Sequence, residues 1–156
     1  SASSSSSVIF SWSSSSSKSA SSSSSSKSAS SASSQSGGSP GTTCAAALTI
    51  SLDTDYTYDI VHDFTTPNNH WFKFPVASGL TYFVKVVKNS GAAYPTPKAR
   101  EGAACDGTLL FSLTPIGTCN TFVASASDTC FVNITASDFG GGTVNYTLRA
   151  GQSSCP

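Results

Sequence analysis

Trp71-Phe-Lys-Phe-Pro-Val-Ala-Ser-Gly-Leu-Thr-Tyr-Phe-Val-Lys-Val86 decides the fold. Both halves of this stretch are aromatic and β-branched, the composition of strands. Ser78-Gly79 punctuates them with a tight turn, and Pro67-Asn68-Asn69 supplies turn chemistry just before. Side chains alternate across a strand, so Trp71–Val76 and Leu80–Val87 each have a face to bury. Neither half shows a helical period.

Working outward, the same signal recurs. Leu48-Thr-Ile-Ser-Leu52 alternates, and Thr108-Leu-Leu-Phe-Ser-Leu113 ends at Pro115 and Gly117. Thr121-Phe-Val-Ala is shorter. Cys130-Phe-Val-Asn-Ile-Thr135 and Val144-Asn-Tyr-Thr-Leu-Arg149 flank Asp138-Phe-Gly-Gly-Gly142, which reads as a hairpin loop. Asn89–Gly107 is rich in Ala, Pro and Gly and reads as a long surface loop. Seven or eight short strands with Gly/Pro punctuation predict an all-β, jelly-roll-like antiparallel sandwich over 42–156.

The stretch 71–86 resembles the "aromatic-x-Phe-x-Val-x-x-Gly-x-Thr-hydrophobic" strand pair of pre-peptidase C-terminal domains. Thr108–Leu113 falls at that family's "Leu-x-Leu" strand. Cys130–Arg149 resembles its closing hairpin, in which a "Tyr-x-Val-x-Val" strand and a Gly-rich turn precede a "Gly-x-Tyr-x-Leu" strand. The resemblance spans roughly residues 45–150. It implies a non-catalytic sandwich appended to secreted enzymes and linked to secretion, adhesion or carbohydrate contact.

Cys44, Cys105, Cys119, Cys130 and Cys155 suggest an oxidising compartment. No Cys-x-x-Cys occurs, and both histidines are far from any cysteine in sequence, which disfavours zinc. Two bridges plus one odd thiol allow 15 pairings. The expected one ties Cys44 to Cys155, because the ends of a sandwich are often close, and joins two of Cys105, Cys119 and Cys130. The odd thiol is then buried or bridges two chains. Asn133-Ile-Thr135 and Asn145-Tyr-Thr147 are sequons for N-linked glycan.

Residues 1–41 differ in kind. About two-thirds of the first 40 are serine, and the nine letters SSSSSKSAS at 13–21 repeat at 22–30. Gly37-Gly38-Ser39-Pro40-Gly41 closes this arm as a hinge. Serine offers no core, and fixing a backbone costs roughly 1–2 kcal/mol per residue, so an ordered arm needs a neighbouring subunit or attached sugar to hold it. Within it, Val8-Ile-Phe-Ser-Trp12 alternates and places Val8, Phe10 and Trp12 on one face. Burying those three contributes roughly 5–9 kcal/mol, enough to dock one strand on an open sheet edge of another subunit.

Charge excludes other roles. The formal net charge is zero, and 42–156 holds six basic and eight acidic residues with no basic cluster for nucleic acid. No apolar run is long enough to span a membrane, and a secretory leader would already have been removed. His62, Asp63 and His70 lie near one loop, but without a Gly-x-Ser-x-Gly elbow hydrolysis is disfavoured against plain loop residues. Asp53, Asp55 and Asp59 space oxygen ligands for calcium, yet lack the glycine and glutamate of an EF-hand; a soluble strand edge is the preferred reading. Tyr56, Tyr58, Trp71, Tyr82 and Tyr94 would make a sugar platform if exposed, but aromatics of a sandwich mostly fill its core. No cofactor is expected. The sequence predicts a secreted, glycosylated, non-enzymatic protomer of an extracellular filament, joined head-to-tail through Val8, Phe10 and Trp12. The alternative is a carbohydrate-binding or adhesion module on a serine-rich stalk.

Overall fold

A computed structural model describes residues 38–62, 68–112, 115–137, 141–152 and 154–156. Nine strands occur among them: β1 (Leu48–Thr49), β2 (Thr54–His62), β3 (Asn69–Val76), β4 (Thr81–Gly91), β5 (Tyr94–Glu101), β6 (Thr108–Ser112), β7 (Cys119–Val123), β8 (Asp128–Ser137) and β9 (Gly142–Gln152). They form two sheets, ordered β1-β3-β8-β5-β6 and β2-β9-β4-β7. Every pairing is antiparallel except the short parallel contact of β1 with β3. The all-β sandwich expected from the alternation is present.

The core is the two inner faces. Phe72, Phe74 and Val76 of β3 alternate inward with Cys130, Val132 and Ile134 of β8. Facing them are Tyr82, Val84 and Val86 of β4 with Val144, Tyr146, Leu148 and Ala150 of β9. Phe83 points the other way yet is fully buried. It lies across Gly151 of β9, where a Cβ would fall 2.4 Å from its ring, so the missing side chain makes room for the aromatic one.

Three expectations are corrected. Asn89–Gly107 is not a loop, because it contains β5, an interior strand of the five-stranded sheet. Its Pro95, Pro97, Ala99 and Glu101 alternate inward. A proline cannot donate to a ladder. Pro95 and Pro97 are tolerated because β5 there pairs only with β8, whereas β6 joins it from Lys98 onward. Second, Leu48–Leu52 gives only the two-residue β1 before the chain turns at Asp53, whose φ is 59°.

Third, the apparent hairpins are arches. β3 and β4 lie in different sheets, as do β8 and β9; only β5 and β6 are consecutive partners within one sheet. The β3–β4 turn uses Gly79 at φ 78°, and the backbone N–H of Ala77 donates to the Tyr82 hydroxyl at 2.9 Å. Such a turn reads the same in sequence whether the next strand lies beside the first or across the core.

The disulfides also differ from expectation. Cys44 pairs with Cys105 and Cys119 with Cys155, at Cα separations of 6.1 and 6.2 Å, while Cys130 is a buried free thiol. Cys44–Cys155 is therefore wrong: Cys44 is pinned to the β5–β6 loop and Cys155 to β7. Burial, then the negative charge of Glu101, pushes the Cys130 thiol far up, which leaves it inert as a nucleophile. Two bridges in a domain of this size place its folding outside the cytosol.

Candidate functional site

The outer face of β2, β9 and β4 carries a connected set of hydrogen-bonding side chains. Register sets Asp55 beside Arg149 and Lys85, Thr57 beside Thr147 and Val87, and Asp59 beside Asn145. Along β4 the register slips between Lys88 and Ser90, leaving Asn89 as the extra residue. A bulge of this kind re-aims a side chain. The Asn89 amide donates to Asn145 Oδ1 at 2.7 Å and to Thr147 Oγ1 at 2.9 Å. Asn145 Nδ2 in turn donates to Asp59 Oδ1 at 2.9 Å, and the Thr57 and Thr147 hydroxyls share a hydrogen bond of 3.0 Å.

This ladder ends in a shallow cleft of about 350 Å³ walled by Asp55, Lys85, Val87, Asn89, Thr147 and Arg149. Arg149 Nη1 lies 3.5 Å from Asp55 Oδ1. Both partners are partly solvated, so the pair contributes at most about 1 kcal/mol. Arg149 Nε is buried and takes no hydrogen bond among the described residues. Lys85 Nζ donates to the main-chain oxygen of Pro156 at 2.9 Å. The cleft thus presents an Arg149–Asp55 pair, the Lys85 ammonium, an amide and a hydroxyl around one apolar wall formed by Val87.

A second cluster staples the two sheets. His70 Nδ1 of β3 and the Tyr146 hydroxyl of β9 share a hydrogen bond of 2.7 Å. Tyr58 packs against both rings, and its hydroxyl donates to Gly38 O at 3.0 Å. Burial lowers the His70 pKa and raises that of Tyr146, the latter helped by Tyr58, so both stay neutral near pH 7. Neutral, mutually satisfied and inward-facing, the pair serves structure. His62 Nδ1 meets the carbonyl of Ala136 at 3.0 Å.

Glu101 is the buried acid that sequence reading passed over. Its Oε2 accepts the Ser125 N–H at 3.1 Å and hydroxyl at 3.0 Å, and its Oε1 accepts the Ala126 N–H at 3.0 Å. The residue is 5% exposed. Burial alone would raise its pKa, but the three donors outweigh it and hold the carboxyl below the usual range. The carboxylate anchors the β7–β8 connection to the end of β5.

The residues singled out in the sequence are placed as follows. Asp53 takes the turn before β2, Asp55 and Asp59 share the outer face but sit about 13 Å apart along the strand, and no group of three His, Cys, Asp or Glu side chains gathers among the described residues. Tyr56 and Tyr82 are core residues, each accepting a backbone N–H. Trp71 is half-buried on the opposite sheet, and Tyr94 is exposed with Lys88 Nζ 3.9 Å above its ring. No shared aromatic platform forms. Asn133 is 9% exposed and its amide donates to Asn69 Oδ1 at 3.3 Å, whereas Asn145 is half-exposed within the ladder. Val8, Phe10 and Trp12 lie outside the described residues, as does Asp63.

With this geometry in hand, solved structures supply a comparison. The pre-peptidase C-terminal domain of a collagenase from Bacillus anthracis superposes with a TM-score of 0.51 over 66% of this chain and 92% of its own, at 17% identity. The fold is that of a pre-peptidase C-terminal domain. The periplasmic inhibitor of g-type lysozyme from Aeromonas hydrophila matches at a TM-score of 0.47 and 11% identity, over 68% of this chain and 95% of its own. Its Salmonella Typhimurium counterpart gives 0.42 and 12%, over 66% and 96%. No family model matches the sequence, and no curated protein matches it. The fold expected from the resemblance at 71–86 and 130–149 is therefore present, with the difference that its strand pairs are arches between sheets.

Proposed function

We propose that this chain is a secreted, non-catalytic adhesion module that holds a polysaccharide against the outer face of β2, β9 and β4, with the serine-rich arm as its tether. The observation that carries this is the cleft at the end of the Asn89–Asn145–Thr147 ladder. Amide and hydroxyl groups on that face suit the hydroxyls of a sugar chain, and Val87 gives one apolar contact. The test is co-sedimentation of the full chain with cellulose, chitin and alginate. Binding to one of them, weakened about tenfold or more by Asn89→Ala with Arg149→Ala, is expected. Retention by none of the three, or binding indifferent to the double substitution, would end this reading.

A second reading, the filament protomer, is supported by one observation: β7, at the far end of the same sheet, carries no charge and leaves Val123 60% exposed. Uncharged edge strands can recruit further strands. Head-to-tail association of full chains in solution is its test.

A further inference from the structure

We propose that the outer face of the five-stranded sheet binds an acidic polysaccharide, with Lys73, Lys98 and Arg100 as its anion contacts. This face belongs to the other sheet from the cleft described above, and the proposal does not depend on that cleft.

Strand parity builds the face. Phe72 and Phe74 of β3, Val132 of β8 and Ala99 of β5 are buried in the core, so the residues between them point outward. Register then sets two rows across these strands. Trp71, Asn133 and Lys98 form one row, and Lys73, Phe131 and Arg100 form the next. Lys73 and Arg100 stand about 10 Å apart across the strands, and Lys98 lies about 7 Å along β5 from Arg100. In the sequence these cations are scattered; the pairing of β3, β8 and β5 gathers them.

The face is one-sided in charge. Asp53, Asp55 and Asp59 belong to β2 and the turn before it. Glu101 is buried, Asp128 pairs with inward-facing Val76, and Asp106 sits on the β5–β6 loop. No described acid therefore takes an outward position on β3, β8 or β5. Lys98 is exposed, and Lys73, Arg100 and Trp71 are partly so. Among the described residues, no ion pair or hydrogen bond holds the Lys73 or Lys98 ammonium. Arg100 Nη1 donates to Gly107 O at 2.9 Å, and a guanidinium has further N–H groups to give. The outer face of β2, β9 and β4 instead mixes Asp55 and Asp59 with Lys85 and Arg149.

The face is also shaped. The Cys44–Cys105 bridge ties the segment before β1 to the β5–β6 loop. Ala45 from one side and Ala103 and Ala104 from the other enclose, with Phe131 and Lys73, a pocket of about 460 Å³. Its apolar lining suits the carbon face of a pyranose ring, and the ammonium suits a carboxylate or sulfate on that ring. Trp71, two residues from Lys73 on the same face, offers a second surface for stacking. A neutral glycan gains little from these cations. Phosphate chains would meet them as well, but the oxidising compartment implied by two disulfides favours glycan over nucleic acid.

The test is isothermal titration of the full chain with polygalacturonate and with dextran sulfate at about 0.15 M salt, with dextran as the neutral control. Binding to at least one of the acidic polymers, and none to dextran, is expected. Lys73→Gln with Lys98→Gln should weaken it about tenfold or more. Arg100 is spared because its bond to Gly107 holds the loop. The charge-matched pair Lys18→Gln with Lys27→Gln should leave binding unchanged. Failure to bind either acidic polymer would overturn the proposal. So would equal weakening by the two double substitutions, which would mean diffuse attraction, or tighter binding of single-stranded DNA than of either polymer. Binding that is lost in Asn89→Ala with Arg149→Ala, yet kept in the Lys73 and Lys98 variant, would overturn this face and put the acidic polymer in the cleft of the other sheet.

Discussion

β2 and β7 close the same four-stranded sheet at opposite ends and solve the edge problem differently. β2 has nine residues, pairs with β9 along its whole length and displays Asp55 and Asp59 outward. β7 has five residues, no charge, and a disulfide at its first residue. A long edge is guarded by charge, whereas a short one is protected by its length and is fixed by what ties down its ends. Cys119–Cys155 holds one end of β7. Beyond the other, Ala124 bonds Leu80 and Glu101 grips Ser125 and Ala126.

The largest effect should come from the disulfide. Replacing Cys119 and Cys155 with alanine opens a 36-residue separation and should cost about 3–4 kcal/mol of stability, read by urea unfolding. If β7 is instead held by its pairing alone, the loss will be negligible. Next comes Glu101→Gln, expected to cost about 1–3 kcal/mol near neutral pH because it weakens three bonds to a carboxylate. Since folding depresses the Glu101 pKa, its contribution is complete above the unfolded value and disappears as pH falls through the folded one. The gap between parent and variant should therefore close as the pH drops below the ordinary carboxylate range; a gap unchanged down to pH 2.5 would mean that charge is irrelevant there. The smallest effect on stability belongs to Asp55→Thr with Asp59→Thr, about 1 kcal/mol or less. Its sharper consequence is on β2, which should begin to self-associate once neutral. Light scattering that stays at the parent's level would show that the two acids are not guarding the edge.

Much of this fold was legible because burial imposes a period of two. Phe72, Phe74 and Val76, and likewise Val144, Tyr146 and Leu148, declare their inward faces directly. β5 was hidden because Pro95 and Pro97 argue against an interior strand, and only the late start of β6 excuses them. Pairing was hidden as well, since Gly79 allows the same turn for a hairpin or an arch. The disulfides followed from which arches form, which no spacing reveals. Of the polar cleft, Asp55 was visible, as one of the acidic cluster Asp53, Asp55 and Asp59. Asn89 was not, because its place depends on a bulge created by tertiary register.

The position of Asn145 has a consequence in time. It belongs to the last strand, and β2, synthesised some 80 residues earlier, pairs with that strand along its whole length. Once the sheet closes, both atoms of the Asn145 amide are engaged, its nitrogen by Asp59 and its oxygen by Asn89. A sugar joined to that nitrogen is most easily added while the chain is still emerging, before those bonds form. Occupancy at Asn145 would then measure a race between the transferring enzyme and the closing of the molecule.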